Sequence, residues 1–336
     1  MTEDRFAVYI DQFELEAEWS IIPGDSGMNN TTRMIQAGNR RYVLREYNNH
    51  RDRGTVRLEH ELLQALHKLD KPFQSPVPVA KRNGETIAES PDGTLAALYV
   101  FIEGSRPQAA NKTHIRSLGR RVADLMQALG RISVSYSGPY SPYYEIEQVY
   151  GGLTTEVLKS LAEKHPQVQT AEVKLLELQK LREQLRNGWE HLKLLPRQWI
   201  HGDVNFSNAV AIGDEVVGLL DFEFCTVDVR AMELAVVITD LIAEEDQLAW
   251  EQIRCFCEGF SGGLHLTEQE MMAIPTLIKL RMLDVALHFA TRLEERLDDA
   301  SVFARIIEQC HRICCWTGEH ERELQRLFLH TLVRQQ

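Results

Sequence analysis

The spacing of apolar residues changes near Pro107, and this change limits the folds open to the chain. Before it, short β-prone runs alternate with turn residues, and one stretch with a helical period intervenes. After it, apolar residues recur at helical spacing over long stretches, interrupted by one β-prone island at 198–220. This order predicts an α+β protein in which a small β-rich lobe, residues 1–103, precedes a larger helical lobe, residues 104–336.

Length and charge narrow the class of protein further. The 336 residues include 37 Lys and Arg against 49 Asp and Glu, a formal net charge of −12. At this length two lobes are expected, and an acidic chain without a basic run does not suit a nucleic-acid partner. The acidic N-terminus does not read as a signal peptide, and no apolar run approaches the ~20 residues of a membrane span. We therefore expect a cytoplasmic protein with no membrane partner.

The periodicities predict individual elements. Strands are expected at 21–23, 31–36, 42–47, 86–88 and 95–102, and helices at 6–18 and 53–68, within the first lobe. The second lobe is predicted to contain helices at 113–129, 155–164, 173–192, 247–259, 267–296 with a break at Pro275, and 302–328. Residues 133–152, rich in Tyr, Ser, Gly and Pro, are predicted to form a loop.

The most informative segment lies in the β-prone island. It reads His201-Gly202-Asp203-Val204-Asn205-Phe206-Ser207-Asn208, and Asp221-Phe222-Glu223 follows thirteen residues after Asn208. Asp and Asn in a loop are usually turn formers, and a lone D-F-E tripeptide carries no information. The joint occurrence of both patterns, in this order and beside β-prone runs, favours a functional interpretation over a purely structural one.

The two patterns resemble those of the aminoglycoside phosphotransferase and choline kinase superfamily. That superfamily has a catalytic loop H-G-D-x-x-x-x-N and a metal-binding strand that ends in a D-F-[ED]-like tripeptide, and both are present here in full. The chain looks most similar to the homoserine-kinase-like and spore-coat-kinase-like members. The resemblance implies a two-lobed protein-kinase-like fold whose antiparallel N-terminal lobe binds the nucleotide, and an activity that transfers the γ-phosphate of ATP to a small-molecule hydroxyl.

The chemistry of phosphoryl transfer explains why these residue types are needed. The reaction requires an aligned nucleophile and strong positive charge beside the phosphate oxygens, which Mg²⁺ usually supplies. Asn208 and Asp221 are the expected oxygen ligands, and Glu223 is expected to hold a second metal or a metal-bound water. Asp203 is the expected acceptor of the hydroxyl proton. His201 is expected to brace the loop by hydrogen bonds.

The N-terminal lobe supplies further candidates. A loop of small residues, 24–32, lies between two predicted strands and looks like a nucleotide-covering loop. A turn without a binding role explains the same residues equally well. Arg45 takes the place of the phosphate-binding lysine of kinases, and Glu59 on the next helix that of its ion-pair partner. An exposed arginine and a solvated helix glutamate are the alternative. The candidate phosphate contacts in the loop are Gly27, Asn29, Asn30 and Thr31.

Two further positions follow from the resemblance alone. The joint between the lobes would meet the adenine ring through backbone groups, which points to Phe101, Ile102 and Glu103. In the segment after the metal strand, Glu233 stands where relatives carry an acidic residue before Leu-Ala. A role in bracing the catalytic loop is expected for it.

The acceptor and the assembly state stay open at this level. An acidic pocket lined by Tyr136, Tyr140, Tyr143, Tyr144 and Tyr150 would suit a cationic amine, although a loop without a binding role is the simpler interpretation. A small-molecule kinase acting on an amino acid, amino alcohol or sugar is the leading hypothesis. A stress-response-type protein Ser/Thr kinase and a non-catalytic nucleotide-binding or coat protein are the alternatives. Either a monomer or a homodimer is compatible with the sequence.

Overall fold

The N-terminal part of the protein is built on one antiparallel sheet. The structure is a computed structural model that describes residues 3–23, 30–48, 52–134 and 140–332. Five strands lie in the order β1-β2-β3-β5-β4, with every neighbouring pair antiparallel. Their bounds are Trp19–Ile22 (β1), Asn30–Ala37 (β2), Arg40–Tyr47 (β3), Ile87–Glu89 (β4) and Leu95–Val100 (β5).

Side-chain alternation along β3 gives this sheet two different faces. Leu44 is fully buried on the face covered by helix α1 (Glu3–Ile10), whereas Val43 packs towards the main core. Arg45 therefore shares a face with Val43, on the side of helix α2 (Arg53–His67). Asp52 caps α2 by accepting a hydrogen bond from the backbone N–H of Gly54 at 2.8 Å.

The remainder of the described chain is mostly helical. Long helices carry most of the buried apolar side chains and form the main core. Their bounds are Lys112–Leu129 (α3), Ile146–Tyr150 (α4), Thr155–Lys164 (α5), Pro166–Gln169 (α6), Glu172–Leu185 (α7), Trp189–Leu192 (α8), Met232–Leu241 (α9), Asp246–Phe260 (α10), Glu268–Glu294 (α11), Ala300–Glu319 (α12) and Glu321–Thr331 (α13). The prediction of an α+β protein with an antiparallel N-terminal sheet and a larger helical part is confirmed.

Two small antiparallel ladders interrupt the helices and carry the motif residues. Their strands are Arg197–Ile200 (β6), Ala209–Ile212 (β7), Glu215–Leu219 (β8) and Thr226–Val229 (β9), with β6 paired to β9 and β7 to β8. The β7–β8 hairpin separates Asn208 from Asp221, as the motif spacing predicts. Gly104 passes so close to this hairpin that a Cβ there would lie 2.5 Å from the carbonyl oxygen of Ala211.

Local sequence signals were wrong at several element boundaries. Helix α11 runs through Pro275 without a break, because a buried helix can lose one backbone hydrogen bond when its neighbours hold it in place. The single helix expected at 302–328 is divided at His320 into α12 and α13. The expected loop at 133–152 contains α4. The first helix ends at Ile10, before its predicted end at residue 18.

Among the described residues, no helix is both long enough and apolar enough to cross a bilayer.

Candidate functional site

The catalytic-loop motif forms a compact turn that follows strand β6. Gly202 has a φ of 78°, a left-handed conformation that favours glycine. Asn205 Oδ1 accepts the backbone N–H of Asn208 at 3.0 Å and closes a 3₁₀ turn. Asn208 Nδ2 donates to both the backbone oxygen and the Oδ2 of Asp203, at 2.9 Å each. The amide nitrogen of Asn208 is thus committed to Asp203, which leaves its Oδ1 for another partner.

Asp203 sits in a mostly enclosed position, with its side chain 20% exposed. Burial raises the pKa of this carboxyl above its ordinary value, Arg281 opposes the increase, and nearby Asp221 adds to it. A carboxylate with a raised pKa binds a proton more readily than an exposed one. The site of the predicted proton acceptor is therefore suited to that chemistry.

His201 and Glu233 hold the start of this loop from inside the core. Glu233 accepts the backbone N–H groups of His201 at 2.6 Å and Gly202 at 3.3 Å. His201 Nδ1 accepts the backbone N–H of Asp203 at 3.2 Å, so its Nε2 carries the proton and donates to the carbonyl of Leu220 at 2.8 Å. Both side chains are completely buried. These contacts support the predicted bracing role of both residues.

Asp221 follows strand β8 in an unusual backbone conformation. Its φ of 66° and ψ of 67° are left-handed, which is uncommon for a residue other than glycine and costs of the order of 1 kcal/mol or more. The N–H of the preceding residue, Leu220, donates to the carbonyl of Asn208 at 2.8 Å. This backbone hydrogen bond holds together the two segments that carry the candidate metal ligands Asn208 and Asp221. The Asp221 side chain is 33% exposed. A ligand can therefore reach it.

The side-chain oxygens of Asn208 and Asp221 suit Mg²⁺ in chemical type and in number. The free Oδ1 of Asn208 and the accessible carboxylate of Asp221 are hard oxygen ligands. Among the described residues, no cluster of three or more His, Cys, Asp or Glu side chains is arranged to hold a metal ion. A metal here would take few protein ligands and complete its shell with phosphate oxygens and water, which is the usual behaviour of Mg²⁺.

Arg45 spans the gap between the N-terminal sheet and the metal-strand residues. Its Nη1 donates to Glu59 Oε1 at 3.2 Å, and its Nη2 donates to Asp221 Oδ1 at 2.6 Å and to Glu223 Oε2 at 2.7 Å. The arginine side chain is only 11% exposed. The predicted pairing of Arg45 with Glu59 is present, and two acidic residues that were predicted as metal ligands share the same guanidinium.

The charges around Arg45 do not balance. Three carboxylates surround one cation, and the pKa of Glu59 is raised to about 7: burial is the largest cause, Arg45 opposes it, and Glu223 and Asp221 add to it. Burial alone would lower the pKa of Arg45, but these carboxylates raise it well above its ordinary value. The cluster therefore has a surplus of negative charge that a bound cation would reduce.

The remaining N-terminal candidates fall into two groups. Gly27 and Asn29 lie outside the described residues. Asn30 is buried and donates its Nδ2 to Glu223 Oε2 at 2.8 Å, while Thr31 accepts a hydrogen bond from Asn48 at 3.0 Å on strand β2. Asn30 is thus joined to the Arg45 cluster, whereas the contacts of Thr31 are local.

The joint after strand β5 contains the candidate adenine contacts. The guanidinium of Arg41 lies 4.3 Å from the ring centre of Phe101, and Arg41 also pairs with Glu103. Ile102 is nearly buried and meets the β7–β8 hairpin at Gly218. The structure brings these residues to the connection between sheet and helices, and their contact with a base stays a prediction.

Arg281 on helix α11 is the main site residue that sequence reasoning missed. Its Nη2 donates to Asp203 Oδ1 at 2.7 Å, and its Nη1 donates to the Tyr143 hydroxyl at 2.7 Å. Asp284, one helical turn on, lies 3.8 Å from the guanidinium. Two charged residues at i and i+3 within an otherwise apolar helical stretch, 280–287, were the signal that could have revealed them.

The tyrosines predicted to line an acceptor pocket are distributed differently. Tyr143 contacts the catalytic loop, and Tyr150 lies beside Asp284. Tyr140 stacks obliquely on Phe224 at 5.2 Å between ring centres, and Tyr144 is buried beside Arg197. Tyr136 lies outside the described residues. Tyr143 and Tyr150 are the two that share the neighbourhood of Asp203.

Fold and site together define a class: a two-lobed kinase-like protein whose cleft joins a candidate proton acceptor, metal donors and a buried arginine. Comparison with known sequences agrees with this class. The chain belongs to the phosphotransferase enzyme family, whose profile matches residues 20–256. It is accordingly a small-molecule phosphotransferase of that family.

Curated relatives at low identity are named homoserine kinases. The homoserine kinase of Agrobacterium fabrum (strain C58) is 26% identical over 284 residues, which cover 82% of this chain and 81% of the relative. The homoserine kinase of Rhizobium etli is 25% identical over 292 residues, covering 81% and 84%.

Solved structures confirm the fold. An amicoumacin kinase in complex with AMP-PNP and Ca²⁺ superposes with a TM-score of 0.65 at 17% identity, covering 93% of this chain and 92% of that one. A microcompartment-associated aminopropanol kinase also gives 0.65, at 15% identity, covering 96% and 98%.

Proposed function

We propose that the protein is an ATP- and Mg²⁺-dependent kinase that phosphorylates a hydroxyl group of a small amino acid or amino alcohol. One observation carries this proposal: Asn208 contacts Asp203 through its side chain and the backbone beside Asp221 through its carbonyl. The candidate proton acceptor and the candidate metal donors thus occupy one continuous hydrogen-bonded unit. The homoserine kinase relatives and the aminopropanol kinase neighbour support an acceptor of this kind.

Each residue then has a definite task. Mg²⁺, held by Asn208 Oδ1 and Asp221, would supply positive charge to the phosphate oxygens. Asp203 accepts the proton of the acceptor hydroxyl as its oxygen forms a bond to the γ-phosphorus, while the bond between that phosphorus and the β,γ-bridging oxygen breaks and ADP leaves. Arg45 binds phosphate oxygens, and Glu59 and Glu223 hold its guanidinium in place.

The acceptor side of the cleft favours an amine. Besides Asp203, it contains Asp284 and Asp240, and Asp240 lies close enough to interact electrostatically with Asp203. Among the described residues, Arg281 is the cation that pairs with Asp203 and Asp284. Burial raises the pKa of Asp284 to about 6, Arg281 opposes this, and the group is ionised at neutral pH. A protonated amine would offset the remaining negative charge.

The test is release of ADP from Mg²⁺-ATP by the purified protein in the presence of candidate acceptors. The panel contains homoserine, choline, ethanolamine, hydroxylysine, amino sugars, aminoglycosides and a generic protein substrate. Stimulation by one small acceptor, absent from the Asp203→Asn variant, is the expected result. Stimulation by the protein substrate alone would contradict the proposal, and so would an absence of Mg²⁺-dependent ATP binding in calorimetry.

A further inference from the structure

Both carboxylate oxygens of Asp203 are held by side chains from different parts of the fold. Asn208, on the same loop, donates to Oδ2 at 2.9 Å. Arg281, on helix α11 and 78 residues away, donates to Oδ1 at 2.7 Å. A carboxylate with one donor can rotate about its bond to Cβ, whereas one held at both oxygens presents fixed lone pairs.

Arg281 is itself fixed by neighbours that do not belong to the loop. Its Nη1 donates to the hydroxyl of Tyr143, and its side chain is 18% exposed. Asp284 lies on the same helix face, 3.8 Å from Nη1, and next to Tyr150. The planar guanidinium has five N–H donors in a rigid fork, so it can meet Asp203 and Tyr143 in one geometry without strain.

Tyr143 extends the same contact to the backbone of the loop. Its hydroxyl donates to the carbonyl of Gly202 at 2.8 Å while it accepts from Arg281. Its own N–H donates to Asp228 Oδ2 at 2.6 Å, and Asp228 is fully buried. Gly202 is the left-handed residue on which the turn depends. Arg281 therefore holds the turn through the side chain of Asp203, and Tyr143 holds it through the main-chain carbonyl of Gly202.

We propose that Arg281 is a positioning residue for phosphoryl transfer: it holds the Asp203 carboxylate, and through Tyr143 the Gly202 carbonyl, in the orientation that receives the acceptor's proton. This inference rests on the proposed function, since it assumes that Asp203 is the proton acceptor. It differs from a role in binding the acceptor, because Arg281 acts here through Asp203.

The experiment compares Arg281→Gln, Arg281→Lys and Arg281→Ala with the wild type. A matched control is Arg292→Gln, since Arg292 is a mostly buried arginine of the same helix that pairs with Asp298, outside the site. For Arg281→Gln we expect kcat to fall about 100-fold, the cost of a small misplacement of a reacting group, while the KM values for Mg²⁺-ATP and the acceptor change by about threefold or less.

Two further measurements separate positioning from a loss of structure. Guanidinium at sub-denaturing concentration should restore part of the kcat of Arg281→Ala, because it can occupy the vacated position, while Na⁺ at matched ionic strength should not. Arg281→Lys should lie between wild type and Arg281→Gln, since lysine keeps the charge without the fork. A raised acceptor KM with an unchanged kcat would overturn the proposal and assign Arg281 to acceptor binding.

Hydrogen exchange tests the same contact without any acceptor. Backbone amides of residues 201–208 should exchange faster in Arg281→Gln than in Arg292→Gln, because the loop loses its tertiary anchor. Equal exchange in the two variants would overturn the proposal. If the wild type transfers phosphate to no acceptor, the proposed function fails, and this exchange comparison alone decides whether Arg281 positions the loop.

Discussion

The two arginines of the cleft have similar partners, but they join different parts of the fold. Arg45 lies on strand β3 and meets three carboxylates, two of them in the helical part of the chain. Arg281 lies on helix α11 and donates hydrogen bonds to one carboxylate, that of Asp203, and to one neutral hydroxyl, that of Tyr143, while the carboxylate of Asp284 lies 3.8 Å away. The first site therefore connects the sheet to the metal strand, and the second connects the helices to the catalytic loop.

The difference in charge separates the expected roles of the two sites. The Arg45 site has a surplus of negative charge, so its properties should depend on Mg²⁺ and phosphate. Arg281 directs its two hydrogen bonds to Asp203 and to a neutral hydroxyl, so its contribution should depend on geometry. Substitutions on either side should therefore affect different steps, and the following four predictions test that separation in order of decreasing effect.

Loss of the carboxylate at Asp203 should have the largest effect. Asp203→Asn is nearly isosteric but cannot accept the hydroxyl proton, so turnover should fall by about 100-fold or more while Mg²⁺-ATP binding is retained. Asp214→Asn, in the exposed β7–β8 turn, is the control. Steady-state kinetics and calorimetry measure the two quantities. Unchanged turnover would remove Asp203 from the role of proton acceptor.

Loss of Asp221 should act on the nucleotide side alone. Asp221→Ala should abolish the tightening of ATP binding by Mg²⁺, because one of two protein ligands is lost. Since alanine is strained at a φ of 66°, Asp221→Asn, which tolerates this conformation, is the second variant and should weaken the effect of Mg²⁺. Calorimetric titration with and without Mg²⁺ measures both. A magnesium effect equal to that of the wild type would rule out Asp221 as a ligand.

Exchanging the fork of Arg45 for a point charge should have a moderate effect. Lysine keeps the charge but lacks the two separate nitrogens with which Arg45 meets its three carboxylates, so Arg45→Lys should raise the KM for Mg²⁺-ATP about 3- to 10-fold with a smaller change in kcat. Arg40→Lys, on the same strand but 65% exposed, is the control. A fall in kcat without a change in KM would show that the two arginine sites are not separate in function.

Removing the charge of Glu59 should change the pH dependence of stability. The folded protein keeps the Glu59 proton up to about pH 7, whereas an unfolded chain releases it near 4.5, so the free energy of unfolding falls as pH rises through this interval. Glu59→Gln should reduce that fall by about 1–2 kcal/mol. Urea unfolding at pH 5 and pH 7.5 measures it. If the free energy of unfolding fell by the same amount between pH 5 and pH 7.5 in the variant and the wild type, the raised pKa of Glu59 would be contradicted.

Much of the Arg45 site could be predicted from the sequence because its parts carry local signals. Arg45 lies on a recognisable strand, Glu59 on a strongly periodic helix, and Asp221 directly after a β-prone run. The pairing of Arg45 with Glu59 was inferred from the resemblance to kinases, which carry an ion pair at the corresponding positions of such a strand and helix. That Glu223 shares the same guanidinium was not inferred, because its backbone position does not specify which neighbour its carboxylate faces.

Little of the Arg281 site could be predicted. Arg281 lies within a long helix whose local pattern even suggested a break at Pro275, upstream of it. Tyr143 falls in a segment that composition assigned to a loop. The helix persists because packing of its buried face outweighs one missing hydrogen bond, and such packing energy is not visible in a local window.

The sequence alone determined the order of the lobes, the strands of the first lobe and the turn that carries Asp203 and Asn208. Periodicity, turn residues and short spacings decide these features, and all of them act over a few residues. Only the tertiary structure decided which charges meet: Arg45 with Asp221 across 176 positions, and Arg281 with Asp203 across 78. Such pairs depend on how helices and sheet pack, because packing sets the distance and direction of each side chain.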